Sequence, residues 1–184
     1  MTVPALLAVP ALAFAYAAGF LIISASASAG LEALLAAGLS LPLIWLSLTD
    51  LRRFEIPDGA VLIIAVGGVA FQYFVHPHRW FVELGAAVAL MALLWTVGYC
   101  LYQRGGREAL GIGDAKLIGA GALWTGFADI WLALFLACIG GIIAALASKP
   151  FGVSGAPREI PFGPFLAYAI YLVFLLQISS VSWY

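Results

Sequence analysis

Charged side chains are scarce in this sequence. They make up 9% of its 184 residues, against about 25% in an ordinary soluble domain. Eight lysines and arginines oppose nine aspartates and glutamates, for a net charge of −1. That balance argues against a nucleic-acid binder, which needs a basic stripe to neutralise phosphates. Cysteine occurs twice, at Cys100 and Cys138, each inside an apolar run and not as a C-x-x-C pair, so neither a zinc site nor a disulfide framework is indicated. No long stretch is both polar and charge-rich, which excludes a disordered tail. No internal repeat and no appended soluble domain is visible.

Apolar residues, by contrast, reach 65%. A soluble sphere of this size has no interior large enough to hide them, so the composition predicts an all-α, polytopic membrane helix bundle. A helix needs roughly 20 apolar residues to cross about 30 Å of hydrocarbon. Seven runs qualify, near 4–25, 30–48, 59–75, 81–102, 111–127, 129–147 and 161–178, with the fifth weakened by Asp114 and Lys116 in its first turns. About seven spans are therefore expected, or six if a weak run is discounted. The runs are long, rich in Ala and Leu and without strand alternation, which makes a membrane barrel the poorer reading. The first run ends in small residues, Ala25 to Ser28, like a signal-peptide cleavage site, but no Lys or Arg precedes it, so it is expected to stay as a membrane helix.

The basic residues set the orientation. Arg52, Arg53, Arg104, Arg107, Lys116, Lys149 and Arg158 fall on one side of alternating spans, and only Arg79 falls on the other. The richer side is expected to be cytoplasmic. The 148–160 connection, rich in Pro, Gly and Ser, reads as a mobile loop on that side.

Acidic residues near spans need an explanation. Glu32, Glu83 and Asp129 fall at the outer face and read as helix caps or solvated groups. Asp50, Glu55, Asp58, Glu108, Asp114 and Glu159 fall toward the inner face. Among these, Asp50 ends the second apolar run and Asp114 opens the fifth, at one depth on one side. Two carboxylates brought together there can share a proton, because like charges a few ångströms apart do not both ionise easily. One would activate a water and the other would donate to a carbonyl oxygen, which is equipment for peptide hydrolysis without a metal or organic cofactor. Gly111 and Gly113, just before Asp114, loosen the helix entrance and leave room for an extended substrate. Gly119, Gly121, Gly140 and Gly141 read as close helix packing. Spacing and topology alone leave the hydrolase level with a proton- or cation-coupled transporter using the same Asp pair.

Three segments then carry a family resemblance. "DLRRFEIPD" (Asp50 to Asp58) resembles the first catalytic motif of the type IV prepilin peptidases, "GIGDAKL" (Gly111 to Leu117) their Gly-x-Gly-Asp motif, and "EIPFGPFLA" (Glu159 to Ala167) a Pro-Phe-Gly-Pro segment near their C-terminus. The resemblance covers roughly 41–176. Presenilin-type proteases share the second motif, but the Ile56-Pro57-Asp58 context favours the prepilin branch.

The resemblance implies an intramembrane aspartyl endopeptidase in which Asp50 and Asp114 match the catalytic pair. Such enzymes remove the short basic leader of prepilins or pseudopilins at the cytoplasmic face of the bacterial inner membrane, in service of pilus or type II secretion machinery. The whole chain, 1–184, is expected to be one transmembrane peptidase domain, with 1–29 an added N-terminal span. The long family members also N-methylate their product and carry a cytoplasmic insertion with paired Cys-x-x-Cys motifs. This sequence shows neither the insertion nor those motifs, so it resembles the short forms, such as those serving tight-adherence pili, and methyltransferase activity is not expected. The alternatives are the transporter and a catalytically silent pilus-assembly factor.

Around the pair, Glu55 and Asp58 are candidates to attract the basic leader or to balance Arg52 and Arg53. Lys116, two residues beyond Asp114, lies on a different helix face, so it is expected to snorkel to the interface or tune the field of the site. Pro161 to Pro164 sets the start of the last span and is a candidate lining of the substrate groove. His76 and His78 read as a solvated outer loop, with no metal, and Trp80, Trp95, Trp183 and Tyr184 as interfacial or packing residues.

Overall fold

The computed structural model describes residues 14–19, 21, 30–105, 111–148 and 160–180. Their elements are α1 (Gly30–Arg53), α2 (Asp58–Val75), α3 (Trp80–Gly105), α4 (Ile112–Ser148) and α5 (Gly163–Ser180). Residues 14–19 are also helical, and no strand occurs among the described residues. The first expected span and the 148–160 connection lie largely outside them, and Arg107, Glu108, Lys149, Arg158, Glu159, Trp183 and Tyr184 lie wholly outside.

The helices coincide with the apolar runs because a backbone in hydrocarbon must satisfy its own hydrogen bonds. α1 to α4 are long and apolar enough to cross a membrane, and α5 is a shorter apolar helix. The chain is a multi-pass membrane helix bundle.

The runs at 111–127 and 129–147 join into one element, α4, of 37 residues. Straight, it would be about 55 Å long, well beyond the roughly 30 Å hydrocarbon layer. It is not straight. Gly126 has φ 76° and ψ 159°, a backbone region open essentially to glycine alone. The contacts on α5 show that the chain reverses there. Gly121 lies against Ile170 and Gln177 bonds the carbonyl of Thr125, whereas Gly140 lies back against Phe165 and Gly141 against Phe162. α4 is thus two antiparallel arms, as two separate runs require.

Side chains satisfy the backbone groups freed at this reversal. Glu83 accepts the N–H of Phe127 at 3.2 Å, and Gln177 donates to the Thr125 carbonyl at 2.7 Å. Replacing Gly126 by Ala is expected to cost about 1–3 kcal/mol, read as a lower midpoint in denaturing-detergent titration.

The core lies where α5 meets α1 and both arms of α4. Leu166, Ile170, Tyr171 and Phe174 are completely buried there. Trp124 ties α2 to this centre. Its indole N–H donates to the Ile64 carbonyl at 2.8 Å, and its ring stacks on Phe71 and meets Phe174 edge-on. Apolar burial from water drives little of this in lipid. Close packing and hydrogen bonds hold it, and the expected packing glycines each have a side chain from another segment against them, Met91 facing Gly119.

Candidate active site

All three motif segments meet at one end of the bundle. Asp50 stands in the last turn of α1. The helix stops at Arg53 because Phe54 turns left-handed, at φ 55°, while its N–H donates to the Asp50 carbonyl at 2.9 Å. That conformation usually falls to Gly or Asn and costs other residues about 1–2 kcal/mol. Pro57 then caps the entry to α2.

Asp50 is 5% exposed. Its Oδ2 accepts the backbone N–H of Gly163 at 3.0 Å. The first N–H groups of a helix have no partner inside it, and Gly163 is the first residue of α5. Pro164 has no N–H, and Phe165 and Leu166 both donate to the Phe162 carbonyl. Gly163 therefore presents the free donor of this helix start to Asp50. Glycine leaves the carboxyl its place: a Cβ there would sit 2.6 Å from Oδ2 and 3.1 Å from Cγ of Asp50.

Asp114 is the third residue of α4. Its half-buried carboxyl folds back beside Gly111, where a Cβ would lie 3.1 Å from Oδ2, and the Gly111 carbonyl accepts Ala115 N–H at 3.2 Å. The neighbouring glycine seats the other motif. A Cβ on Gly113 would lie 2.8 Å from Cβ of Ile56, so the α1–α2 loop docks directly on the start of α4. Neither glycine faces open space. The carboxyl groups of Asp50 and Asp114 lie within electrostatic reach of each other.

Of the other candidates, Lys116 and Asp58 find each other. Nζ lies 2.7 Å from Oδ1, linking the second turn of α4 to the first residue of α2. Asp58 thus pairs across helices rather than with Arg52 or Arg53. Its side chain is 79% exposed, so the pair is held in place more than it holds. Lys116→Met is expected to change stability by less than about 1 kcal/mol, measured by the same detergent titration. Glu55, Arg52 and Arg53 are exposed beside it.

Among the described residues, no carboxyl at the opposite end is buried as Asp50 is. His76 and His78 are exposed, with His76 Nδ1 3.1 Å from Gln72 Oε1. Glu83 caps the second arm of α4, and Asp129 accepts from Gln177. Among the described residues no three His, Cys, Asp or Glu side chains converge as metal ligands would.

Gly163 and Ile56 carry more of the site than their segments suggested. The available signal for Gly163 was a glycine held between Phe162 and Pro164 at a helix start, where an unobstructed N–H is useful.

Residues 37–146, which include both aspartates, match the model of the type IV leader peptidase family. The chain belongs to the type IV leader peptidase family. Among its relatives, the prepilin leader peptidase/N-methyltransferase of Aeromonas hydrophila is 30% identical over 146 residues, 77% of this chain and 49% of that protein. The protein of the same name from Xanthomonas campestris pv. campestris is 34% identical over 149 residues, 79% of this chain and 51% of its own. That of Dichelobacter nodosus is 34% identical over 134 residues, 72% and 45%. The chain spans about half the length of these relatives. No solved structure matches it. In this leader peptidase family member the matched region runs from within α1 into the second arm of α4, and α5, which supplies Gly163, lies beyond it.

Proposed function

We propose that this chain is an intramembrane aspartyl endopeptidase that removes the short basic leader from type IV prepilins or pseudopilins. The observation that supports the reading is the convergence of the motif segments at one end of the bundle, with Gly163 against Asp50 and Ile56 against Gly113 beside Asp114. The family match adds the substrate class. The relatives' shared name joins two activities, and only the peptidase half comes into this proposal.

In the proposed reaction a water lies between the carboxyls. The ionised one takes its proton as the oxygen attacks the scissile carbonyl carbon, and the protonated one gives its proton to the carbonyl oxygen. Collapse of the tetrahedral species passes a proton to the leaving nitrogen and breaks the C–N bond. Gly163 N–H orients the Asp50 carboxyl, so that group is held before substrate arrives. Which aspartate holds the proton is a property of the pair, since the two titrate together. The basic loops place the site at the cytoplasmic face in this reading, with pilus or type II secretion machinery as the consumer of the product.

The test is co-expression with candidate prepilins, followed by mass measurement of their N-termini. Leader loss that depends on this chain supports the proposal. Ion-dependent flux in liposomes, with every prepilin left intact, selects the transporter instead.

A further inference from the structure

α2 and α3 are joined by a short turn, yet they make few contacts with each other and pack on α4 instead. Between them runs a cleft of about 780 Å³, floored by Gly119, Ala120 and Leu123 of α4. Its walls carry Val66 and Val88, both more than half exposed. At one end Tyr73 and Trp80 meet edge-on across it, with ring centroids 6.0 Å apart. At the other end stand Asp58 and Lys116, and Lys116 is two residues from Asp114.

Three features select an occupant. The cleft follows α2 from its first residue almost to its last, and 18 residues make about 27 Å, close to one membrane crossing of about 30 Å. Its walls are apolar along that length, and small residues at the floor allow close approach, as at helix–helix contacts in lipid. The volume suits one face of a helix more than a whole helix, so the occupant would be held laterally. Finally, its direction is set: the aromatic pair crosses one end, whereas the other end, at Lys116, lies at the depth of Asp114 on another face of α4.

We propose that this cleft is the docking site for the substrate's own apolar transmembrane helix, which it holds so that the cleavage point just beyond the helix reaches Asp50 and Asp114. This rests on the leader-peptidase reading and adds to it the surface that measures the substrate.

The test uses cross-linking in the full chain, with Cys100→Ser and Cys138→Ser removing the two exposed native thiols. Val66→Cys and Val88→Cys report on the cleft, and Leu93→Cys reports on α3 outside it. The probe is a purified prepilin with one cysteine midway along its apolar helix, joined by a short bis-maleimide. Adducts concentrated at residues 66 and 88 are the expected result. Equal yields at all three positions, or links between two copies of this chain in place of prepilin, overturn the docking site.

A second measurement compares intact prepilin with a peptide that keeps the leader and junction but lacks the apolar helix. Val88→Trp is expected to raise KM for intact prepilin about tenfold and to leave the peptide's cleavage unchanged. An unchanged KM, or equal losses on both substrates, overturns it. Wild-type chain that cleaves neither substrate removes the protease reading and the docking site together, whereas normal cleavage with a flat cross-linking pattern removes the docking site alone.

Discussion

Asp50→Asn and Asp114→Asn are each expected to lower leader removal by about 10²–10⁴-fold, the range for losing a positioned acid or base. Both substitutions keep size and shape, so the protein should still insert and sediment with membranes. The amide introduced at position 50 would retain an oxygen for the Gly163 N–H. The loss would then be chemical. If the carboxyls act as one unit, the double variant should be little worse than either single one. N-terminal mass measurement on purified prepilin reads all three. Full processing by either single variant would remove the pair from the mechanism.

Gly163→Ala carries the second large effect. The added methyl would lie 2.6 Å from Asp50 Oδ2, so either the carboxyl or the start of α5 must move. Misplacing a catalytic group by about 1 Å can cost roughly 10²-fold in rate. The crowding should also cost about 1–3 kcal/mol of stability. Gly141→Ala supplies the control. It sits on the other arm facing Phe162, where a Cβ would make ordinary contact at 3.7 Å. It should leave cleavage near the wild-type rate. A Gly163→Ala variant with normal turnover would show that the Gly163 N–H does not hold Asp50 in the reacting state. These two experiments separate the chemistry of the carboxyls from their placement.

Much of the fold was readable in the chain. The expected runs at 30–48, 59–75 and 81–102 became α1, α2 and α3, the same length or a few residues longer where helices continue into the interface. Two neighbouring runs became the arms of α4, and the break between them falls at Gly126, where only glycine is at ease. Glu83 was expected as a cap or a solvated group, and it caps. Less was readable about the site's surroundings. Lys116 was weighed as a snorkelling residue or a tuner of Asp114, and its partner is Asp58, 58 residues away in the chain. Gly113 was weighed as room for substrate, and the space beside it holds Ile56. The Pro161 to Pro164 segment was weighed as a helix start and a candidate groove lining, and its glycine N–H meets Asp50.

The division has one physical cause. Whether a segment crosses a bilayer depends on its own apolar length, and where a helix stops depends on a few adjacent residues. Both are local, so composition and spacing determined the spans and the motifs that carry the family. Which helices lie side by side depends on the shapes of faces far apart in the chain, here Ile56 on Gly113 and α5 on the end of α1. Only the packed bundle decided that Gly163 serves Asp50, that Lys116 serves Asp58, and that α2 and α3 stand apart around a cleft with that ion pair at one end.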